Sequence, residues 1–298
     1  MRTKLLLVTS LLIAVSLLFS SCSLFRSAEK PNPAASAATT GDSSTSADTE
    51  YSETTASTEA STDEPDYIPP VIPVKKPGDP LTVCIDAGHG YVDPGCTTKY
   101  LDGRYERDIV AEYADTLKAE LEDMGYRVIL LRNDDDYVDA ERIATAAKSL
   151  GMSFMEDKLA DDSRFAPYNR SVWANVLHRD TYIDLFVSIH IDSFESMESV
   201  RGTRIYYCTE NAYSGKSKEL CDSLSSAVAG KLPDTNARSF PKNAAEAYVV
   251  TKHTEMPSVL IEMGFATNPD DAANILDTEW RDSFCASIAE GIKAYSGN

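Results

Sequence analysis

The chain has 298 residues, 43% of them hydrophobic and 25% charged, and a formal net charge of −19. Nucleic-acid binding and adhesion to anionic lipid both depend on Lys and Arg, so this charge balance argues against either as a general mode. The acidity reads instead as a soluble acidic surface.

At the start, Arg2 and Lys4 precede the apolar run Leu5–Phe19, which is too short for the ~20 residues that span a bilayer. A positive start, a short apolar run and small residues make a secretory signal. Ser20-Ser21-Cys22 resembles the lipobox of bacterial lipoproteins, in which the Cys is lipidated, although Phe19 stands where Leu is usual. The expectation is a signal peptide over 1–21 and a lipid anchor on Cys22; the alternative is a secreted protein. Between Arg26 and Tyr67 there is no Leu, Ile, Val, Met, Phe or Trp. Such a stretch cannot bury enough surface to offset its ordering entropy. Pro69, Pro70, Pro73, Pro77 and Pro80 then make a stiffer extended run. Residues 22–80 are therefore expected to be a disordered tether, and 81–298 one domain.

Within 81–298 the pattern alternates. Leu81–Ile85, Tyr126–Leu131, Leu185–Ile189 and Val259–Glu262 read as strands, and Thr203–Tyr207 as one nearer an edge. Helices are expected over 105–124, stopped by Gly125, and over 138–150, 167–179 and 215–229, with a last one carrying Trp280, Phe284, Ile288, Ile292 and Tyr295. Asn268-Pro269-Asp270-Asp271 reads as an N-cap followed by Pro at the first helical position. This succession predicts an α/β fold, a single domain with a twisted, mostly parallel sheet and helices on both faces. Cys84 and Cys285 read as core residues; a Cys208–Cys221 bridge is open to an exported protein.

Ligands in such sheets bind beyond the carboxyl ends of strands. The first strand leads into Asp86-Ala87-Gly88-His89-Gly90, the third into His190, and a later one into Glu262. Glu106 falls in the first turn of its helix, on the face of Val110, Tyr113 and Leu117. Its plain reading is a carboxylate favouring the helix dipole, but an inward carboxylate wants a cation. His89, Glu106 and His190 would make a His₂Glu set for a catalytic zinc, with Glu262 as a neighbouring proton acceptor. There is no HExxH motif, and spacing alone leaves this open. Asp86 reads equally as a hydrogen-bond partner of a ligand or as a turn former at a strand end. His178 reads as surface or packing, and His253 falls just before the Glu262 strand.

These motifs together resemble a family. Val83–Gly90 with Asp93-Pro94-Gly95, then Tyr105-Glu106, Phe186–His190, Arg201-Gly202-Thr203 and Pro257–Asn268 match, in order, the zinc-dependent N-acetylmuramoyl-L-alanine amidases (amidase type 3). The resemblance implies a zinc exopeptidase/phosphorylase-like fold. It implies one Zn²⁺ on His89, Glu106 and His190, with Glu262 as catalytic acid/base. The implied substrate is peptidoglycan, cut between N-acetylmuramic acid and L-Ala, on the outer side of the bacterial cytoplasmic membrane. The rivals are another zinc amidohydrolase or exopeptidase acting on peptides, and a glycan-binding lipoprotein without catalysis. Two departures stand out: Asp192 where the family usually has Asn, and an inserted stretch at 150–167 that would either shape the glycan groove or decorate the surface. The short 191–202 segment leaves no room for an inserted helix that plugs the site, as some relatives have.

Overall fold

The computed structural model describes residues 72–90, 93–132, 140–152 and 167–297. The expected leader, Cys22 and most of the tether lie outside the described residues, as does 153–166 of the inserted stretch.

The described part is a six-stranded sheet flanked by helices. In chain order it runs β1 (Thr82–Ala87), α1 (Glu106–Asp123), β2 (Arg127–Leu130), α2 (Ala140–Ser149), α3 (Pro167–Thr181), β3 (Leu185–Asp192) and β4 (Arg204–Cys208). It continues with α4 (Ser214–Lys231), β5 (Arg238–Lys242), α5 (Val249–His253), β6 (Ser258–Phe265), α6 (Pro269–Leu276) and α7 (Thr278–Ser296). Spatial order is β2-β1-β3-β6-β4-β5. The first four are parallel; β4 runs antiparallel to β6 and parallel to β5.

Side-chain alternation assigns the two faces. Val83, Ile85, Leu185, Val187, Ile189, Val259 and Ile261 join the larger core with the buried stripes of α1, α4 and α7. Cys84, Phe186, Leu260 and Tyr206 point the other way, into a smaller core with Ala174 of α3 and Val250 of α5. The stripe of α1 is Ile109, Val110, Tyr113, Ala114, Leu117 and Leu121. Burying each of Ile109, Val110, Leu117 and Leu121 is worth about 1.5–3 kcal/mol. Gly125 ends that helix at φ +87°, where its amide bonds Glu122 O. Gly291 lets α7 approach α4, since a Cβ there would lie 2.9 Å from the Leu224 backbone. Asn268 caps α6 by accepting from the amides of Asp270 and Asp271, as its sequence predicts.

Several elements differ from the sequence reading. β1 and β3 continue past their apolar runs, so Asp86 and His190 lie within strands; Glu262 lies within its strand as the reading of Val259–Glu262 expects, and β6 runs on to Phe265. Neighbouring strands still pair with these residues' backbones, as in Asp86 with Ser188 and His190 with Glu262. β4 lies one strand in from the edge. The edge is β5, a strand with no sequence signal because its only large apolar residue is Phe240 and it contains Pro241. The five-residue α5 is likewise too short to show a period. Cys208 and Cys221 are not bridged: both thiols are free and buried, and Cys221 Sγ donates to Ile205 O at 3.1 Å. Cys84 and Cys285 are buried as expected. No helix intervenes between β3 and β4.

Candidate metal centre

Three side chains converge where β1 and β3 end and α1 begins. His89 Nε2 lies 3.0 Å from Glu106 Oε1, His190 Nδ1 lies 3.2 Å from the same oxygen, and the two nitrogens are 3.1 Å apart. These residues are the group of His, Cys, Asp and Glu side chains placed to hold a metal among the described residues. A near-equilateral triangle of lone-pair donors fits a single cation: around tetrahedral zinc, with bonds of about 2.0–2.1 Å, ligand atoms stand about 3.3 Å apart. The donor set therefore fits zinc in both chemistry and spacing.

Local backbone makes the convergence possible. His89 takes a left-handed φ of +62°, turning its ring back from the end of β1. Gly88 lies under the His190 ring; a Cβ there would come within 2.3 Å of it. Gly95, at φ +69°, leaves the same kind of space beside Glu106 and His89. Glu106, the first residue of α1, is buried, and its carboxylate accepts the Ile191 amide at Oε1 and the Cys96 amide at Oε2, both at 2.8 Å. The inward orientation read from the periodicity is thus present, and the helix start itself is tied to β3.

Asp93 was not singled out by the residue pattern beyond its place in the Asp93-Pro94-Gly95 run. Its Oδ2 lies 2.8 Å from His89 Nδ1 and its Oδ1 accepts the Gly95 amide. A carboxylate on the far nitrogen of a ligating His fixes its tautomer and ring orientation. The i, i+4 spacing of His89 and Asp93 was the available signal, and it lies in a turn where no regular period applies. Burial alone would lower the His89 pKa, but the Asp93 and Glu106 carboxylates outweigh it and lift it to about 9. Burial would raise Glu106; the hydrogen bonds and charge of His190 and His89 outweigh it and hold the carboxyl well below its usual range. Burial lowers His190.

Glu262 is in cross-strand register with His190 on β3 and with Arg204 on β4. It is buried, and its Oε2 has no hydrogen-bond partner among the described residues. Burial, then the charges of Asp192 and Glu106, push its pKa well above the usual carboxylate range. A register shift separates His190 from Asp192 at the end of β3, and Asp192 lies 3.9 Å from Arg204 Nη1. Burial raises Asp192 too.

Asp86 is fully buried, and its hydrogen bonds run to Arg170 Nη1 (3.1 and 3.0 Å) and Ser188 Oγ (2.7 Å). It pins α3 to β1 and β3 beneath the metal cluster. Arg170 is the partner that sequence could not supply, lying 84 positions away. His178 is buried and accepts the Ile183 amide through Nδ1, a packing role. His253 lies against Tyr168, ring centroids 5.9 Å apart, and does not join the cluster.

A family model described as N-acetylmuramoyl-L-alanine amidase matches residues 83–294. The chain is 28% identical over 228 residues to the uncharacterized protein YqiI of Bacillus subtilis, covering 76% of this chain and 90% of that one. It is 27% identical over 221 residues to the probable cell wall amidase LytH of Staphylococcus aureus, covering 74% of this chain and 60% of that protein. Among solved structures it resembles the CwlD amidase of Clostridioides difficile, determined in complex with the GerS lipoprotein, at 26% identity and a TM-score of 0.55, covering 73% and 98% of the two chains. An N-acetylmuramoyl-L-alanine amidase from Clostridium difficile 630 shares the fold at a TM-score of 0.56 and 24% identity, over 74% and 98%. The match over nearly the whole described domain places the chain in the N-acetylmuramoyl-L-alanine amidase family, a family of hydrolases.

Proposed function

We propose that this chain hydrolyses the amide joining the lactyl carboxyl of N-acetylmuramic acid to L-Ala of the peptidoglycan stem peptide, with one zinc ion held by His89, Glu106 and His190. The observation that carries this reading is the triangle of donor atoms at 3.0, 3.1 and 3.2 Å with Glu262 one strand away in register. When bound, zinc supplies Lewis-acid polarisation of the amide carbonyl and acidifies a water. With the metal held there, Glu262 would take a proton from the attacking water and deliver it to the leaving nitrogen, so that the C–N bond breaks, the carbonyl carbon gains hydroxyl and L-Ala leaves as a free amine. Its raised pKa suits a group that must hold a proton in mid-reaction. Asp93 holds the His89 ring in place throughout.

The segment Arg2–Cys22 supports export and a lipid anchor on Cys22, with the domain acting on the outer side of the cytoplasmic membrane. Digestion of purified peptidoglycan tests the activity. New L-Ala amino termini should appear, vanish with chelator and return with added zinc. Cleavage of free peptides without L-Ala release from muramoyl sugars would favour a peptidase; chelator-insensitive release would overturn the metal assignment.

A further inference from the structure

The connection from β3 to β4, residues 193–203, joins two parts of the metal centre. It begins just past Asp192, two residues beyond the donor His190, and ends at Arg204, in register with Glu262. β3 and β4 both flank β6, so the connection crosses the carboxyl end of β6. Ligands of such sheets bind at strand ends of this kind. Its middle, 195–199, is exposed and holds neither helix nor strand. Within it, the Met197 amide bonds Phe194 O and the Val200 amide bonds Met197 O, at 3.1 and 3.2 Å. Isolated turns like these do not fix a loop's position.

The segment that follows β6 does. The Ala266 amide donates to Asp192 O at 2.8 Å, and Thr267 Oγ1 accepts the Phe194 amide at 3.0 Å. Asn268 Nδ2 donates to Glu198 O at 2.8 Å, and Asp271 Oδ2 accepts the Gly202 amide at 2.7 Å. Start, middle and end of the connection are each fastened to 266–271, and Thr267, Asn268 and Asp271 are buried. Glu198 also pairs with Lys99, but that pair is exposed and adds little. Asn268 is thus the buried hold on the exposed middle. It works with two atoms: Oδ1 caps α6 by accepting two amides, while Nδ2 reaches the loop. Ser, Thr and Asp also cap helices well. Of these good caps, only Asn can accept with one atom and donate with the other. The loop, more than the helix, therefore explains the choice of Asn.

We infer that Asn268 is a positioning residue for the substrate: by fastening the β3–β4 connection at Glu198 it keeps the rim of the metal centre in the shape that receives the muramoyl peptide. The inference rests on the muramoyl-amide reading of the site. Its test uses the full zinc-loaded protein and two variants. Asn268→Asp keeps the capping oxygen and sets a second oxygen against the Glu198 carbonyl. Asn268→Ser keeps a capping oxygen, adds no charge and has no N–H to donate. In both, zinc content should stay unchanged. Amide hydrogen exchange at Met197 and Val200 should quicken about 2- to 10-fold, the worth of one hydrogen bond. The substrate must then order the loop itself. KM for a soluble N-acetylmuramoyl-L-Ala peptide should therefore rise by about the same factor, with kcat held within about twofold. A purely structural Asn268 would lower the melting temperature and leave KM unmoved, which would overturn the inference. Exchange rates unchanged in both variants would overturn it as well. A wild type that cleaves no muramoyl peptide would overturn the muramoyl-amide reading and the substrate role with it.

Discussion

Glu262 is a buried carboxylate held where ionisation is costly, with one oxygen unpartnered among the described residues and two other acids pushing its pKa upward. A purely structural Glu in such a position would be expected to have a cation in contact. The assigned role predicts that Glu262→Gln keeps its zinc content by elemental analysis while hydrolysis falls about 10²–10⁴-fold. Asp93 makes a different prediction. Among the described residues its carboxylate bonds the His89 ring and the Gly95 amide, so Asp93→Asn should weaken zinc binding about 10- to 100-fold, read by competition with a chromogenic chelator. The donors His89, Glu106 and His190 were legible because strand ends and one inward helix position pointed at them. Asp93 was not, because its contact is made inside a turn by a left-handed His89.

At the scale of elements, legibility followed burial. Val83–Ile85, Leu185–Ile189 and Val259–Ile261 stand out as continuous apolar runs because helices cover both faces of the central strands. β5 and α5 left no trace, one for want of apolar residues and the other for want of length. Asp86 and His190 fall just past the apolar runs that mark β1 and β3 because each is charged or titratable. Only tertiary partners such as Arg170 for Asp86 make those residues compatible with a strand. That pair gives a prediction. Arg170→Met leaves a buried carboxylate without its cation and should cost about 3–5 kcal/mol in urea unfolding. A double variant with Asp86→Ala should recover part of that loss, because no lone charge remains buried.

For the whole molecule, the family match spans residues 83–294. If Cys22 carries the lipid, Cys22→Ser should move the protein from the membrane fraction to the soluble fraction. Hydrolysis of soluble muramoyl peptides should stay unchanged, because every residue assigned to the site lies within the stretch that matches the family.

The outermost strand has a further consequence. The Arg238 amide bonds Thr203 O on β4, so amides at alternate positions of β5 face inward, and position 241, odd in that alternation, faces out. That outward position is occupied by Pro241, which has no N–H to offer, with Arg238 and Lys242 on either side. An open strand edge is a template on which another chain can grow, and proline and charge are what blunt it. The outermost strand is therefore self-protecting. Copies meeting edge to edge would find one backbone donor fewer for cross-chain pairing, with charged side chains flanking the gap.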